Sequence, residues 1–247
     1  MRNPCVAHRG WSGRAPENTM AAIRLAIEEP RVEWVEIDVQ LSKDSVPVVI
    51  HDYKLRRTTN GRGLVKDWTA EELSALDAGS WFSPRYRGER IPLLEEVLQE
   101  GFGRIGLNIE LKTDGIRYPH IEERVWSLVK AYGAENDVVI TSFHAGALHT
   151  MRSLTDGEAR TGLIVDKWRE SLIAELRGTD SDFLSIEYGK LKPERINRLK
   201  EAGIRTMAWT PNEVRAIRKT AALDPDIMIC TNYLDRWQEA LAGIAVR

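Results

Sequence analysis

The chain has 247 residues and a formal net charge of −2, with 43% hydrophobic and 29% charged residues. A chain of this size and composition can bury a full core in one or two domains without disulfides or structural metals, which sets aside disordered and disulfide-scaffold classes. The near-zero charge leaves no electrostatic case for nucleic acid, and no apolar run approaches the roughly 20 residues of a membrane span.

In chain order, "CVAH" is the first expected strand. The opening "MRNPCVAHRG" has no apolar signal core, so a cytoplasmic setting is expected. "NTMAAIRLAIEEP" follows as a helix: Met20, Ile23 and Ile27 share a face, Asn18 or Thr19 can cap it, and Pro30 stops it. "EWVEIDVQL" and "VPVVIH" are β-like and joined by the turn-like "SKDS". The stretch from Asp52 to about Leu93 breaks the rhythm with "TTNGRG", Pro84, Pro92, Trp68, Trp81 and Phe82, and reads as an insertion within a single domain spanning 1–247. "RIGLNIEL" resumes the strands, and "HIEERVWSLVKAYG" is a helix with Ile121, Val125, Leu128 and Tyr132 on one face. The remaining strands are "DVVITSF", "RTGLIV", "DFLSIE", "IRTMAWT" and "DIMICT", with amphipathic helices between them. About eight strands, each followed by a helix, favour a (β/α)8 barrel with a small insertion after the second strand over a doubly wound sheet. Cys5 and Cys230 then fall on the neighbouring first and last strands and are expected as buried thiols.

A barrel of this kind carries its chemistry at the C-terminal ends of its strands. His8 ends the first expected strand, His51 ends the continuation of the second, Ser142 and Phe143 end the fourth, and Trp209 ends the seventh. In "EID", residues two apart on a strand share a face, so Glu36 and Asp38 project together, and "ELK" repeats the device with Glu110 and Lys112. Three carboxylates facing one barrel mouth repel one another and call for a cation. An all-oxygen donor set suits Mg²⁺, Ca²⁺ or Mn²⁺ rather than zinc. His8 and His51 have the right chemistry to flank a scissile phosphate as base and acid, and the carboxylates suffice as ligands without them. Arg9 and Lys112 are candidates for phosphate oxygens. Glu17 and Asn18 are read equally as caps of the first helix, and His120, His144 and His149 as residues of helix starts and surfaces.

These residues carry a resemblance. "AHRGWSGRAPENT", "EIDVQLSKDSVPVVIHD", "LRRTTNGRG" and "IELK", with weaker echoes in "TSF" and "AWTPN", resemble the glycerophosphodiester phosphodiesterases over essentially the whole chain. The resemblance implies a (β/α)8 barrel, a divalent metal ion, and cleavage of small-molecule glycerophosphodiesters to glycerol 3-phosphate and an alcohol. It implies that Glu36, Asp38 and Glu110 hold the metal and that His8 and His51 form the acid–base pair. Arg9 and Lys112 would bind phosphate, with Phe143 and Trp209 completing the substrate-binding set. It also implies a two-step route through a cyclic phosphate; the residues themselves do not assign which histidine acts first and leave direct attack by metal-bound water open. The alternative activity is that of a lysophospholipase D or phospholipase-type phosphodiesterase on the same barrel, which the aromatic insertion admits. One departure is visible: "WTPN", with Pro211, replaces a Trp-Thr-Val-Asn-like stretch and leaves Trp209 and Thr210 in place.

Overall fold

The computed structural model describes residues 3–242; residues 1–2 and 243–247, which the expected domain span includes, lie outside the described residues. The chain opens with strand β1 (Cys5–His8) and helix α1 (Met20–Ile27), whose N-terminus is capped by Thr19 accepting from the Ala22 amide. Of the two expected capping candidates, Thr19 therefore takes the role, and Asn18 is released for another. Met20, Ile23 and Ala26 form the buried face of α1, as the 3.6-residue period requires. Gly10 sits at φ +76°, and a Cβ there would fall 2.5 Å from the Ala22 carbonyl carbon. The loop after β1 can press onto α1 because nothing projects from that position.

Strand β2 (Val32–Leu41) pairs in parallel with β1, and β3 (Pro47–Val49) folds back antiparallel on its end. This corrects one expectation. The "VPVVIH" run is the return arm of a hairpin and lies outside the barrel wall, and His51 stands beyond the end of β3. The turn between the arms explains the reversal: the Ser42 amide donates to the Val46 carbonyl, the Ser42 hydroxyl donates to Asp44, and Ser45 takes a left-handed φ of 62°.

The segment 52–93 follows. It holds three 3₁₀ turns and the short helix α2 (Ala70–Ser74), and packs a small apolar cluster of Leu55, Val65, Leu73, Ala78 and Ile91 against Val48 and Ile50. After α3 (Leu94–Gly101), strands and helices alternate: β4 (Gly106–Leu111), α4 (Ile121–Ala131), β5 (Val138–Ser142), α5 (Ala145–Leu154), β6 (Thr161–Val165), α6 (Leu172–Gly178), β7 (Phe183–Glu187), α7 (Pro193–Glu201), β8 (Arg205–Trp209), α8 (Val214–Ala221), β9 (Met228–Thr231) and α9 (Leu234–Ala242).

The sheet runs β1-β9-β8-β7-β6-β5-β4-β2, and the β1–β2 pairing closes it into an eight-stranded parallel barrel with β3 as an extra edge strand. The fold is a (β/α)8 barrel. Val35, Ile37 and Val39 of β2 and Leu107, Ile109 and Leu111 of β4 belong to the core between barrel and helices. The alternate residues Trp34, Glu36, Asp38 and Asn108, Glu110 then point inward. The barrel's floor is apolar, with Val6, Val139, Phe183, Met207, Met228 and Cys230 packed together. Cys5 and Cys230 are buried and unbridged on the adjacent strands β1 and β9. No described helix is long and apolar enough to cross a membrane.

Candidate active site

Strand register assembles the site. His8 lies beside Glu36 across β1–β2, and Asp38 lies beside Glu110 across β2–β4. Carboxylate oxygens of Glu36, Asp38 and Glu110 come within 4.8 Å of one another, and all three residues are buried. Glu36 and Glu110 line a cavity of about 90 Å³ at the C-terminal mouth of the barrel, together with His8, Arg9, His51, Lys112, Phe143 and Trp209. The structure thus brings all nine expected site residues to one place, with Asp38 behind Arg9 and Lys112. Larger grooves, of about 250, 550 and 650 Å³, lie elsewhere. Several of the charged groups in the two largest are paired with one another, as in Arg24–Glu100, Arg90–Glu96 and Lys200–Asp224.

The three carboxylates differ in their surroundings. Burial pushes Asp38 upward, but Arg9, 3.1 Å away, and Lys112, 3.7 Å away, outweigh it and hold Asp38 well below the usual carboxylate range. Asn18 Nδ2 donates to Asp38 Oδ2 at 2.8 Å. Burial and the charges of Asp38 and Glu110 push Glu36 well up, and its Oε2 accepts from the Arg9 amide at 3.0 Å. Burial followed by the Asp38 charge pushes Glu110 up to about 7, although Lys112 donates to it at 2.7 Å. Asp38 Oδ1 is buried with no hydrogen-bond partner. An unsatisfied anionic oxygen beside two carboxylates that resist ionisation is the environment a divalent cation would relieve, and the all-oxygen donor set fits one. The cluster can hold a divalent cation.

The two imidazoles are held differently. His8 Nδ1 lies 2.6 Å from Asn232 Oδ1, and its Nε2 lies 3.8 Å from Glu36. Burial, then the Arg9 charge, lowers its pKa to about 4, so it is neutral at pH 7. His51 Nδ1 donates to Asp52 Oδ1 at 2.6 Å; burial, then the charges of Arg9 and Lys112, lowers its pKa despite the nearby Asp38. Both side chains are therefore neutral near pH 7, each with one ring nitrogen tied to an oxygen and the other available to a ligand. At the rim, half-exposed Phe143 meets Trp209 edge to face at 6.2 Å, and Lys112 Nζ lies 5.8 Å from the Phe143 ring centre. Trp209 Nε1–H is buried without a partner.

Residues 8–236 match the model of the glycerophosphoryl diester phosphodiesterase family. The chain belongs to that family. It is 38% identical over 216 residues, 85% of this chain and 86% of the relative, to the glycerophosphodiester phosphodiesterase of Caldanaerobacter subterraneus subsp. tengcongensis. A phosphodiesterase from Oleispira antarctica, solved in complex with the product sn-glycerol-3-phosphate, superposes with a TM-score of 0.88 at 32% identity, covering 97% of each chain. The glycerophosphodiester phosphodiesterase of Agrobacterium tumefaciens gives 0.84 at 30% identity over 96% of this chain and 99% of its own.

Four residues of this glycerophosphoryl diester phosphodiesterase family member escaped the sequence reading. Asn18, a cap candidate by residue type, braces Asp38. Asn232 braces His8, and Asn212 in turn accepts from the Asn232 amide at 3.0 Å and from the Thr231 hydroxyl at 3.2 Å. Arg57 braces Asp52. The signal for Asn18 was its place between a strand-end loop and a helix; Asn212 and Asn232 sit next to expected strand ends but carry no charge that drew notice. With Pro211 in the chain, Trp209 still ends β8 and Asn212 still meets the loop after β9.

Proposed function

We propose that the chain hydrolyses small glycerophosphodiesters to glycerol 3-phosphate and an alcohol, with Glu36, Asp38 and Glu110 holding Mg²⁺, Ca²⁺ or Mn²⁺ and with His8 and His51 as the acid–base pair. The observation that carries this reading is the placement of two differently braced neutral imidazoles on one cavity with a buried three-carboxylate cluster. Family membership and the product held by the Oleispira antarctica structure support the substrate class. When bound, the cation supplies charge neutralisation and orientation of phosphate and glycerol oxygens. One imidazole takes the proton of the attacking hydroxyl on its bare Nε2, while the other, acting as imidazolium with a proton gained at Nε2, hands that proton to the departing alkoxide. Arg9 and Lys112 offer positive charge to the phosphate while remaining fixed by the carboxylates around them. Asn232 and Asp52 set the ring tautomers, so that Nε2 of each imidazole is the atom left for substrate.

The cavity's size orders the substrate. At about 90 Å³ the cavity is small. It suits a cation and a compact polar group, with the leaving alcohol directed outward over Phe143 and Trp209. A cytoplasmic setting suits the two unbridged cysteines. The segment 52–93 is proposed to shape substrate choice through Trp81 and Phe82, which are 41% and 36% exposed. The test is turnover of glycerophosphocholine with and without a divalent cation, followed by release of glycerol 3-phosphate. Cation-dependent release is expected, and a fully active metal-free protein would overturn the reading.

A further inference from the structure

A run of alternating charges lies behind His51. Asp52 accepts from His51 Nδ1 at 2.6 Å on Oδ1 and is gripped by Arg57, whose Nε donates to Oδ2 at 2.7 Å and whose Nη2 donates to Oδ1 at 3.0 Å. The other edge of the same guanidinium grips Glu17, with Nη1 donating to Oε2 and Nη2 to Oε1, both at 2.8 Å. Glu17 is itself anchored to the barrel mouth by Arg9 Nη1 at 2.7 Å. Exposed ion pairs contribute little in general, the exceptions being two-pronged arginine–carboxylate forks and networks; Arg57 makes two such forks at once.

We propose that Arg57 is a positioning residue for His51: anchored on Glu17, it holds Asp52 against Nδ1 of the imidazole and thereby keeps Nε2 aimed into the cavity. The physical case is one of restraint. Asp52 is partly exposed, and besides His51 and Arg57 its carboxylate has no hydrogen-bond partner among the described residues. Without Arg57 its carboxylate is free to turn to water, and the imidazole loses the acceptor that selects its tautomer. Arg57 is also the first cause of the fall in the Asp52 pKa to about 2, followed after burial by His51, so the carboxylate stays an acceptor across the working pH range. Glu17 is pushed upward by burial, but Arg57 and Arg9 outweigh it and keep it ionised. The anchor is thus charged at both ends. Arg57 comes from the inserted segment, which gives that segment a part in the chemistry as well as in substrate choice.

The inference rests on the reading of the site as a phosphodiesterase with His51 in an acid–base role, and the experiment separates the two. Arg57→Gln and Arg57→Lys are made in the full chain and assayed on glycerophosphocholine with Mg²⁺ or Ca²⁺ supplied. Arg57→Gln should lower kcat by about 10- to 100-fold, the usual cost of misplacing a reacting group by an ångström or so, with KM within about threefold of the parent. Lysine can satisfy one carboxylate but not both forks, so Arg57→Lys should recover part of the loss. On a His51→Ala background Arg57→Gln should cost less than about twofold more, because its effect passes through the imidazole. Should Arg57→Gln fail to fold, Arg57→Lys carries the same comparison. The Nδ1–H resonance of His51, assigned by its disappearance in His51→Ala, should be resolved in the parent and averaged by tautomer exchange in Arg57→Gln. A kcat within about twofold of the parent, an equal loss on the His51→Ala background, or an unchanged His51 resonance would overturn the proposal. The resonance needs no substrate. A protein inert toward glycerophosphodiesters whose His51 signal still depends on Arg57 would sink the functional reading and keep this one.

Discussion

Glu110→Gln is expected to stabilise the cation-free protein while disabling the cation-bound one. Burial and the Asp38 charge raise the Glu110 pKa from 4.5 to about 7. Between those values the native state keeps a proton that the unfolded chain has lost, so this group's contribution to stability falls as pH rises through the window and is fully lost above about pH 7. The interval from 4.5 to about 7 is worth roughly 3 kcal/mol, at about 1.4 kcal/mol per tenfold change in the ionisation equilibrium. Glutamine has nearly the same shape and no charge to desolvate. In a chelator at pH 7.5 the variant should therefore exceed the parent by about 3 kcal/mol, or roughly 6–12 °C in Tm for a domain of this size. At pH 5 the gap should close to under about 1 kcal/mol. His8, whose pKa is lowered to about 4 by burial and then by Arg9, titrates in the opposite sense, so the quantity to follow is variant minus parent. Adding Mg²⁺ or Ca²⁺ at about 100 times Kd should raise the parent by about 2.7 kcal/mol, while the variant, one ligand short, gains less and loses turnover. Thermal unfolding followed by circular dichroism measures all of this. A variant that melts below the parent at pH 7.5 in chelator, or a gap that does not shrink at pH 5, would refute the reasoning.

His8→Ala and His51→Ala should each lower kcat by about 10²- to 10⁴-fold while leaving the fold intact, since both are rim residues; single-turnover and steady-state rates on a folded variant check this, and near-parent kcat would make that histidine structural. Trp81→Ala or Phe82→Ala should change KM or the ranking of leaving alcohols more than kcat, and a diester panel with identical ranking in both variants would contradict a substrate-selecting segment. Glycerophosphocholine should be preferred over a lysophospholipid with the same headgroup in kcat/KM. A reversal by about tenfold, worth about 1.4 kcal/mol in the transition state, would favour the lipid-cleaving alternative.

The period-2 pattern of "EID" and "ELK" made the carboxylate wall legible, because alternation alone decides which strand residues face inward. What it could not show was the register that sets His8 beside Glu36 and Asp38 beside Glu110; that depends on how separate strands slide against one another. The hairpin that carries His51 was half legible: "SKDS" read as a turn, yet nothing in the run of apolar residues distinguished a strand that continues from one that folds back. The residues that brace the histidines were the least legible. Asn232 reaches His8 across 224 positions of chain, and Arg57 reaches Glu17 across 40, so local pattern carries no trace of either contact. Asn18 was placed at a helix start by its residue type, and Thr19 performs that task because its hydroxyl is the one in reach of the Ala22 amide.

The most direct test of the account is the release of glycerol 3-phosphate from glycerophosphocholine by the purified chain, measured enzymatically after chelation and again after restoring Mg²⁺, Ca²⁺ or Mn²⁺, with Asp38→Asn in parallel. The account predicts release that vanishes on chelation, returns with at least one of these cations in the parent, and does not return in Asp38→Asn, whose side chain otherwise places an unsatisfied anionic oxygen in the cluster. Release by the chelated parent, or by Asp38→Asn, equal to that of the cation-supplied parent would contradict it.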